Sequence, residues 1–345
     1  MKAWVIHKVV NISVNREPLK LIEVPDPEPE ENEILIKVKA CGICHTEIDE
    51  IEGRATPSIL PVIPGHQIVG EVVKIGKNVK GFKVGDRAGA GWIFYSCGKC
   101  EFCLKGLENL CPEFKATGKD AHGGYAELFK IREDFAFHIP QGLSYEEIAP
   151  LFCAGAIGYR SLKLTNLEDG ENLGLIGFGA SNHLVLKIAK VLYPKSKVYV
   201  FSRTPREREL AIKLGASWAG DIGEEPPEKL NAAIDTTPVW SPPIRTLKHI
   251  KPSGRLVINA IRKEDVDKKA LLEMDYPRDL WLEREIKSVA NITRKDIEEF
   301  LSMVERATLK PEIEVYSFEE ANKALRDIKE RKIRGAKVLK INSDT

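Results

Sequence analysis

NLGLIGFGASNHLVLKIAKVL, residues 172–192, runs from a short apolar segment through a glycine-punctuated turn into a stretch whose apolar residues recur at helical spacing. A strand feeding a helix through such a turn is one βα unit, and the chain repeats it. VYVF at 198–201 reads as the next strand. A helix then opens at Thr204, Pro205 and Glu207, where Thr is suited to cap, Pro to the first turn and Glu to completing a capping box. Further strands are expected at 231–235, 255–259 and 286–290. Such alternation predicts a parallel, doubly wound sheet with helices on both faces.

The turn itself, Gly177-Phe178-Gly179-Ala180-Ser181-Asn182, is a G-x-G-x-x-N, with Asn182 where the dinucleotide fingerprint carries a third Gly or Ala. Gly177 and Gly179 let the backbone approach a pyrophosphate, and the helix N-terminus at Ala180 and Ser181 attracts its charge. Asn182 predicts slightly looser packing of that helix on its strand. About twenty residues further on, where an NAD site places an acidic side chain on the ribose, stand Ser202 and Arg203. Loss of the carboxylate removes repulsion toward a 2′-phosphate, and arginine offers it paired donors. NADP(H) is therefore the expected cofactor, with NAD(H) the alternative. The competing reading takes Arg203, Arg206 and Arg208 as the solvated start of the helix.

Upstream the rhythm differs. ILIKVKA at 34–40, HQIVGEVVKIG at 66–76 and YAELFKI at 125–131 read as strands separated by Pro- and Gly-rich turns, a β-rich domain of partly closed character. After residue 291, two amphipathic helices and a last strand at 336–341 do not continue the alternation and are expected to return to the first domain. A chain of 345 residues predicts two domains, here 1–153 with 291–345, and 154–290.

Composition narrows the partners. With 43% hydrophobic and 30% charged residues the chain reads as globular. Fifty-two basic against fifty-one acidic side chains leave +1 and no like-charged block, so small molecules are expected as partners, not nucleic acid or membrane. No run of about eighteen apolar residues occurs, and MKAWVIHKVV breaks its apolar run too early for a secretory core, so a cytoplasmic location is expected. Glutamine is confined to Gln67 and Gln141 while Lys, Glu and Ile abound, a bias of proteins from hot environments.

Seven cysteines in such a chain point to metal ligation or catalysis before disulfides. Cys97, Cys100, Cys103 and Cys111 stand as C-x2-C-x2-C-x7-C, which lets one lobe, 95–113, wrap a single ion in four thiolates as a closed structural zinc site. An iron–sulfur cluster competes, because Cys111-Pro112 echoes the end of the ferredoxin run, although that run's last gap is three residues and this one is seven. Two local disulfides are the third possibility.

Three further residues suit a second metal: Cys44 in CGICHTE, His66 in PGHQIVG and Cys153 in PLFCAG. Gly65-His66-Gln67, Gly70, Gly76 and Val79 match G-H-E-x2-G-x5-G-x2-V except that Gln67 replaces Glu. With the cysteine lobe, Cys153 and the βα region following in order, the whole chain resembles the zinc-containing alcohol dehydrogenases of the medium-chain dehydrogenase/reductase superfamily. CGICHTE, GFGASN and SVANITR look closest to bacterial and archaeal members near the cinnamyl-alcohol dehydrogenases.

The resemblance implies an α/β chain with a GroES-like β-rich catalytic domain plus a Rossmann doubly wound parallel-sheet domain, assembled as a homodimer or homotetramer. It implies a catalytic zinc on Cys44, His66 and Cys153 with a fourth position open to substrate, hence two zinc ions per subunit with the structural one. Cys41 is read as buried packing. Thr46 would receive the alcohol proton, Glu47 would orient His66, and Asp49 stands where relatives end their proton relay on histidine. Trp92 and Ile93 are expected to line a pocket for apolar primary alcohols or aldehydes. The implied reaction is reversible hydride transfer between such a substrate and the nicotinamide. Rival readings are a zinc-free reductase of enones or quinones from the same superfamily, an iron–sulfur electron-transfer protein, and a catalytically silent relative.

Overall fold

The computed structural model describes residues 1–307, 309–330 and 335–341. The chain forms two compact units, Met1–Ala156 with Asn291–Thr345, and Ile157–Ala290. The first break thus falls after Ala156 and not after Cys153. Residues 308, 331–334 and 342–345 of the expected 291–345 segment lie outside the described residues.

In the first unit, seven strands among the described residues share one sheet, in the order Ile313–Ser317, Ala336–Lys340, Glu33–Ile43, Ile68–Ile75, Arg87–Ala90 and Ala136–His138, with Leu128–Arg132 also paired to Glu33–Ile43. The Glu33–Ile43 strand is the spine, and its Ile34, Ile36, Val38 and Ala40 are wholly buried. Burying each of the larger of these side chains contributes about 1.5–3 kcal/mol. Ala321, Ala324, Leu325 and Ile328 recur at three- and four-residue spacing on the Ala321–Lys329 helix, so one face of it joins the same core. The Ala336–Lys340 strand inserts between Ile313–Ser317, to which it is parallel, and Glu33–Ile43, to which it is antiparallel. The strand expected from residue 66 begins at Ile68, which leaves Gly65, His66 and Gln67 on its approach.

The second unit is a six-stranded parallel sheet in the order Trp218–Gly220, Val198–Phe201, Leu173–Ile176, Leu230–Asp235, Ile250–Ile258 and Glu285–Ser288. Numbered along the chain this is 3-2-1-4-5-6, the dinucleotide-binding winding. LGLI and VYVF are buried at every position, as strands covered on both faces must be. Two details differ from expectation. The Trp218–Gly220 edge strand was not anticipated, and the strand expected at 255 starts at Ile250. In the Pro205–Lys213 helix Pro205 occupies the first turn, but the Thr204 side chain makes no cap hydrogen bond, and the box is not closed from the other side either, since Glu207 accepts from Ser202 while the Thr204 N–H goes to Ser202 Oγ. No described helix is long and apolar enough to cross a membrane.

Candidate metal centre and nucleotide site

The His45–Ile51 helix begins on Cys44. The Sγ of Cys44 accepts the Thr46 N–H at 3.4 Å, and Glu47 returns Oε2 to the Cys44 N–H at 2.8 Å, so a capping box fixes the thiol's direction. His66 arrives from another loop. Gly65 before it adopts φ +94°, and a Cβ there would stand 2.3 Å from the Tyr125 ring, so only glycine delivers the imidazole along this path. Cys153 follows the Ala149–Phe152 turn. From these three places Cys44 Sγ, a ring nitrogen of His66 and Cys153 Sγ come within 4.8 Å of one another.

The donor set suits a tetrahedral ion. Cys44 Sγ and His66 Nε2 are 3.6 Å apart; metal–sulfur and metal–nitrogen bonds of zinc length would separate two tetrahedral ligands by about 3.5 Å. Nδ1 of His66 points the other way, 2.9 Å from Oε1 of Glu47, with both side chains buried. The approach falls short of directed hydrogen-bond geometry, so it acts first through charge. Without a cation, hydrogen bonding with Cys153, and then burial, push the Cys44 thiol well up. Burial works to lower His66, but the charges of Glu47 and Cys44 outweigh it and raise this imidazole. Two thiols and a ring held this way release protons to a divalent ion.

Around this cluster the other expected residues divide. The Trp92 indole meets the His66 ring edge-on at 4.8 Å. Ile93 does not join it, being packed in the core of the unit. Asp49 is buried, with Oδ1 2.6 Å from Arg54 Nε and 3.8 Å from His45 Nε2. Gln67 is buried with its side chain against Gly42, where a Cβ would meet its Oε1 at 2.7 Å. Cys41 is a buried thiol in the core, outside the ligand group. Sequence reading missed Glu50, fully buried with neither carboxylate oxygen hydrogen-bonded and its pKa driven well up by burial and then by Glu47. The signal was the three-residue spacing from Glu47, which puts both acids on one helix face.

Cys97, Cys100, Cys103 and Cys111 also bring their sulfurs within 4.8 Å of one another, and all seven cysteines are free of disulfides. Cys97 and Cys103 are 4.0 Å apart, against about 3.8 Å for two sulfurs on one tetrahedral zinc. Backbone N–H groups of Lys99 and Cys100 hold Cys97 down to about 7, whereas burial and then Cys100 push Cys103 up to about 11.

In the second unit, Gly177 has φ +76° and a Cβ on Gly179 would meet nothing within 4 Å. An open cradle therefore lies ahead of the Ala180–Leu192 helix, where a pyrophosphate fits. Ser181 lies in its first turn, its Oγ accepting Asn259 Nδ2 at 3.5 Å. The expectation for Asn182 is overturned. Its Nδ2, wholly buried, lies 3.1 Å from Ile176 O, 2.8 Å from Gly177 O, 3.4 Å from Ile234 O and 3.2 Å from Thr236 Oγ1. The amide clamps the helix to the ends of two strands. Ser202, buried, ends the Val198–Phe201 strand and Arg203 beside it is exposed.

Comparison with known proteins follows the same lines. Residues 30–141 match the family described as "Alcohol dehydrogenase GroES-like domain". The chain is 38% identical over 346 residues to the Mycobacterium tuberculosis protein named "Probable alcohol dehydrogenase AdhA", covering 99% of this chain and 97% of that one. It is 34% identical to an alcohol dehydrogenase of Geobacillus stearothermophilus over the whole of both chains. Among solved structures, a cinnamyl alcohol dehydrogenase of Sorghum bicolor superposes with a TM-score of 0.84 at 26% identity, covering 98% of this chain and 97% of that one.

Proposed function

The chain belongs to the zinc-type alcohol dehydrogenases of the medium-chain dehydrogenase/reductase superfamily, and from that premise we propose that it interconverts primary alcohols and aldehydes with NADP(H). The carrying observation is the meeting of Cys44, His66 and Cys153, from three distant parts of the chain, within 4.8 Å. These three residues would hold a catalytic zinc, which supplies Lewis acidity toward a substrate oxygen at a fourth position. A bound nicotinamide would accept the hydride in alcohol oxidation and give it back in aldehyde reduction.

The protein's own residues do the rest. Glu47 keeps a proton on Nδ1 of His66, so Nε2 presents its lone pair to the metal side. Thr46, whose N–H is held on Cys44 Sγ, would take the alcohol proton on Oγ1 while its own hydroxyl proton passes on to water. Asp49, committed to Arg54, positions Arg54 and His45. The Trp92 ring against His66 supports an apolar substrate. Cys97, Cys100, Cys103 and Cys111 would bind the structural zinc; a cluster of several irons would hold the sulfurs further apart than a single ion does.

Gly177, Gly179, Ala180, Ser181 and Asn182 would seat the pyrophosphate, and exposed Arg203, with no acid at Ser202, supports the 2′-phosphate of NADP(H) over NAD(H). The exposed Glu285–Ser288 edge strand, near exposed Tyr276, Trp281 and Leu282, supports a homodimer or homotetramer. A panel of primary aldehydes assayed for oxidation of NADPH and of NADH tests the reading. Turnover with NADPH, abolished in Cys44→Ser, is expected; no turnover with any primary aldehyde would overturn it.

A further inference from the structure

At the strand end that reads the adenosine ribose, a residue from the following helix intrudes. Glu207 folds back so that a carboxylate oxygen accepts the Ser202 hydroxyl proton. Ser202 Oγ in turn accepts the Thr204 N–H at 3.2 Å, and the Ser202 carbonyl accepts Arg208 Nη1 at 2.7 Å. Arg208 also faces Asp221 at 3.4 Å. The Ser202 hydroxyl has thus spent its only proton on Glu207 and has none to give a phosphate. Arg203 remains exposed; burial raises the Glu207 carboxyl, and the Ser202 hydrogen bond and then the Arg203 charge work against that rise.

We propose that Glu207 is a specificity-determining residue, restoring from the helix the ribose-facing carboxylate that Ser202 lacks and so opposing the 2′-phosphate that Arg203 attracts. The inference rests on the reading above only in taking residues 202–207 as the adenosine-ribose site. In a dinucleotide fold the acid that reads the ribose hydroxyls stands at the end of the second strand, here Val198–Phe201. Its usual position is Ser202, and the hydrogen bond from Ser202 brings the Glu207 carboxylate to that place. A carboxylate there accepts hydrogen bonds from ribose hydroxyls but repels a phosphate dianion. With one cation and one anion at the same strand end, the preference between the two nucleotides is set by the balance of these two side chains.

The test is the ratio of dissociation constants for NAD+ and NADP+ in the zinc-loaded full chain, for wild type, Glu207→Gln and Arg203→Ala. Glutamine keeps the shape and still accepts from Ser202 but carries no charge, so a folding defect would weaken both nucleotides together. Glu207→Gln is expected to tighten NADP+ roughly tenfold relative to NAD+, and Arg203→Ala to move the ratio the opposite way. A ratio unmoved by Glu207→Gln, or moved toward NAD+, overturns the proposal whichever nucleotide the wild type prefers. A wild type preferring NAD+ whose ratio still moves toward NADP+ in Glu207→Gln retires the NADP(H) preference and upholds Glu207.

Discussion

Oε1 of Glu47 stands 2.9 Å from Nδ1 of His66, with both side chains out of reach of solvent. The other oxygen of the same carboxylate holds the Cys44 N–H, so one residue sets two of the three candidate ligands. Glu47→Gln keeps an acceptor for the Cys44 N–H but removes the charge facing the imidazole. Zinc affinity at this centre is expected to fall roughly 10–100-fold, read by competition with a chelator of known affinity. An unchanged affinity would mean that the carboxylate does not tune the ring.

Asn182 gives a prediction that runs against the fingerprint. Asn182→Gly restores the motif residue but deletes an amide placed against four acceptors. Ile176 O keeps the Thr236 N–H and hydroxyl, so what is lost is the amide's two donors, expected to cost about 1–3 kcal/mol, and glycine in the helix adds to it. Urea denaturation reads the loss, and the dissociation constant for NADP+ should rise as the first turn of the helix loosens.

The second unit should lose stability in mild acid through His249. Burial, and then the charges of Lys248 and Lys229, hold its pKa down to about 4. The unfolded chain binds this proton below about pH 6.5 and the folded one does not. The stabilisation is therefore present above about 6.5 and disappears as pH falls toward about 4. The full shift corresponds to about 3 kcal/mol; screening near the surface reduces the expected loss to about 1–2 kcal/mol. His249→Gln should flatten the profile of Tm against pH in this window, and an equally steep profile in the variant would refute the assignment.

Elemental analysis is expected to find two zinc ions per chain. Cys103→Ser, which removes one of four sulfurs from the Cys97–Cys111 lobe, should leave one and lower the urea midpoint, since the binding energy of a structural ion is folding energy. Two ions retained in this variant would count against a four-thiolate site.

What was legible in the sequence depended on whether a residue's role was local. LGLI and VYVF announced themselves because strands covered on both faces are apolar throughout. Trp218–Gly220 was not visible, being three residues at the sheet edge. The four cysteines of the lobe could be grouped by spacing alone. Cys44, His66 and Cys153 could not, and only the family resemblance linked them before the coordinates set their sulfurs and ring side by side. Asn182 looked like a gap in a motif, because its partners lie on two strands, one of them more than fifty residues away. Glu207 looked like a helix cap, since its local pattern fits one; the hydroxyl of Ser202 outcompetes the backbone for it.

The strand at 336–340, lodged in the interior of the first unit's sheet, sets an order of events during synthesis. All three candidate metal ligands leave the ribosome early, yet the sheet that supports them keeps a vacant slot beside Glu33–Ile43 until the tail emerges. The nucleotide-binding unit, one continuous segment, can be finished first, reversing the usual amino-to-carboxyl succession of maturing domains. In the interval the unzipped edge of Glu33–Ile43 is open to pairing with other nascent chains, and a prematurely terminated product would carry that liability permanently.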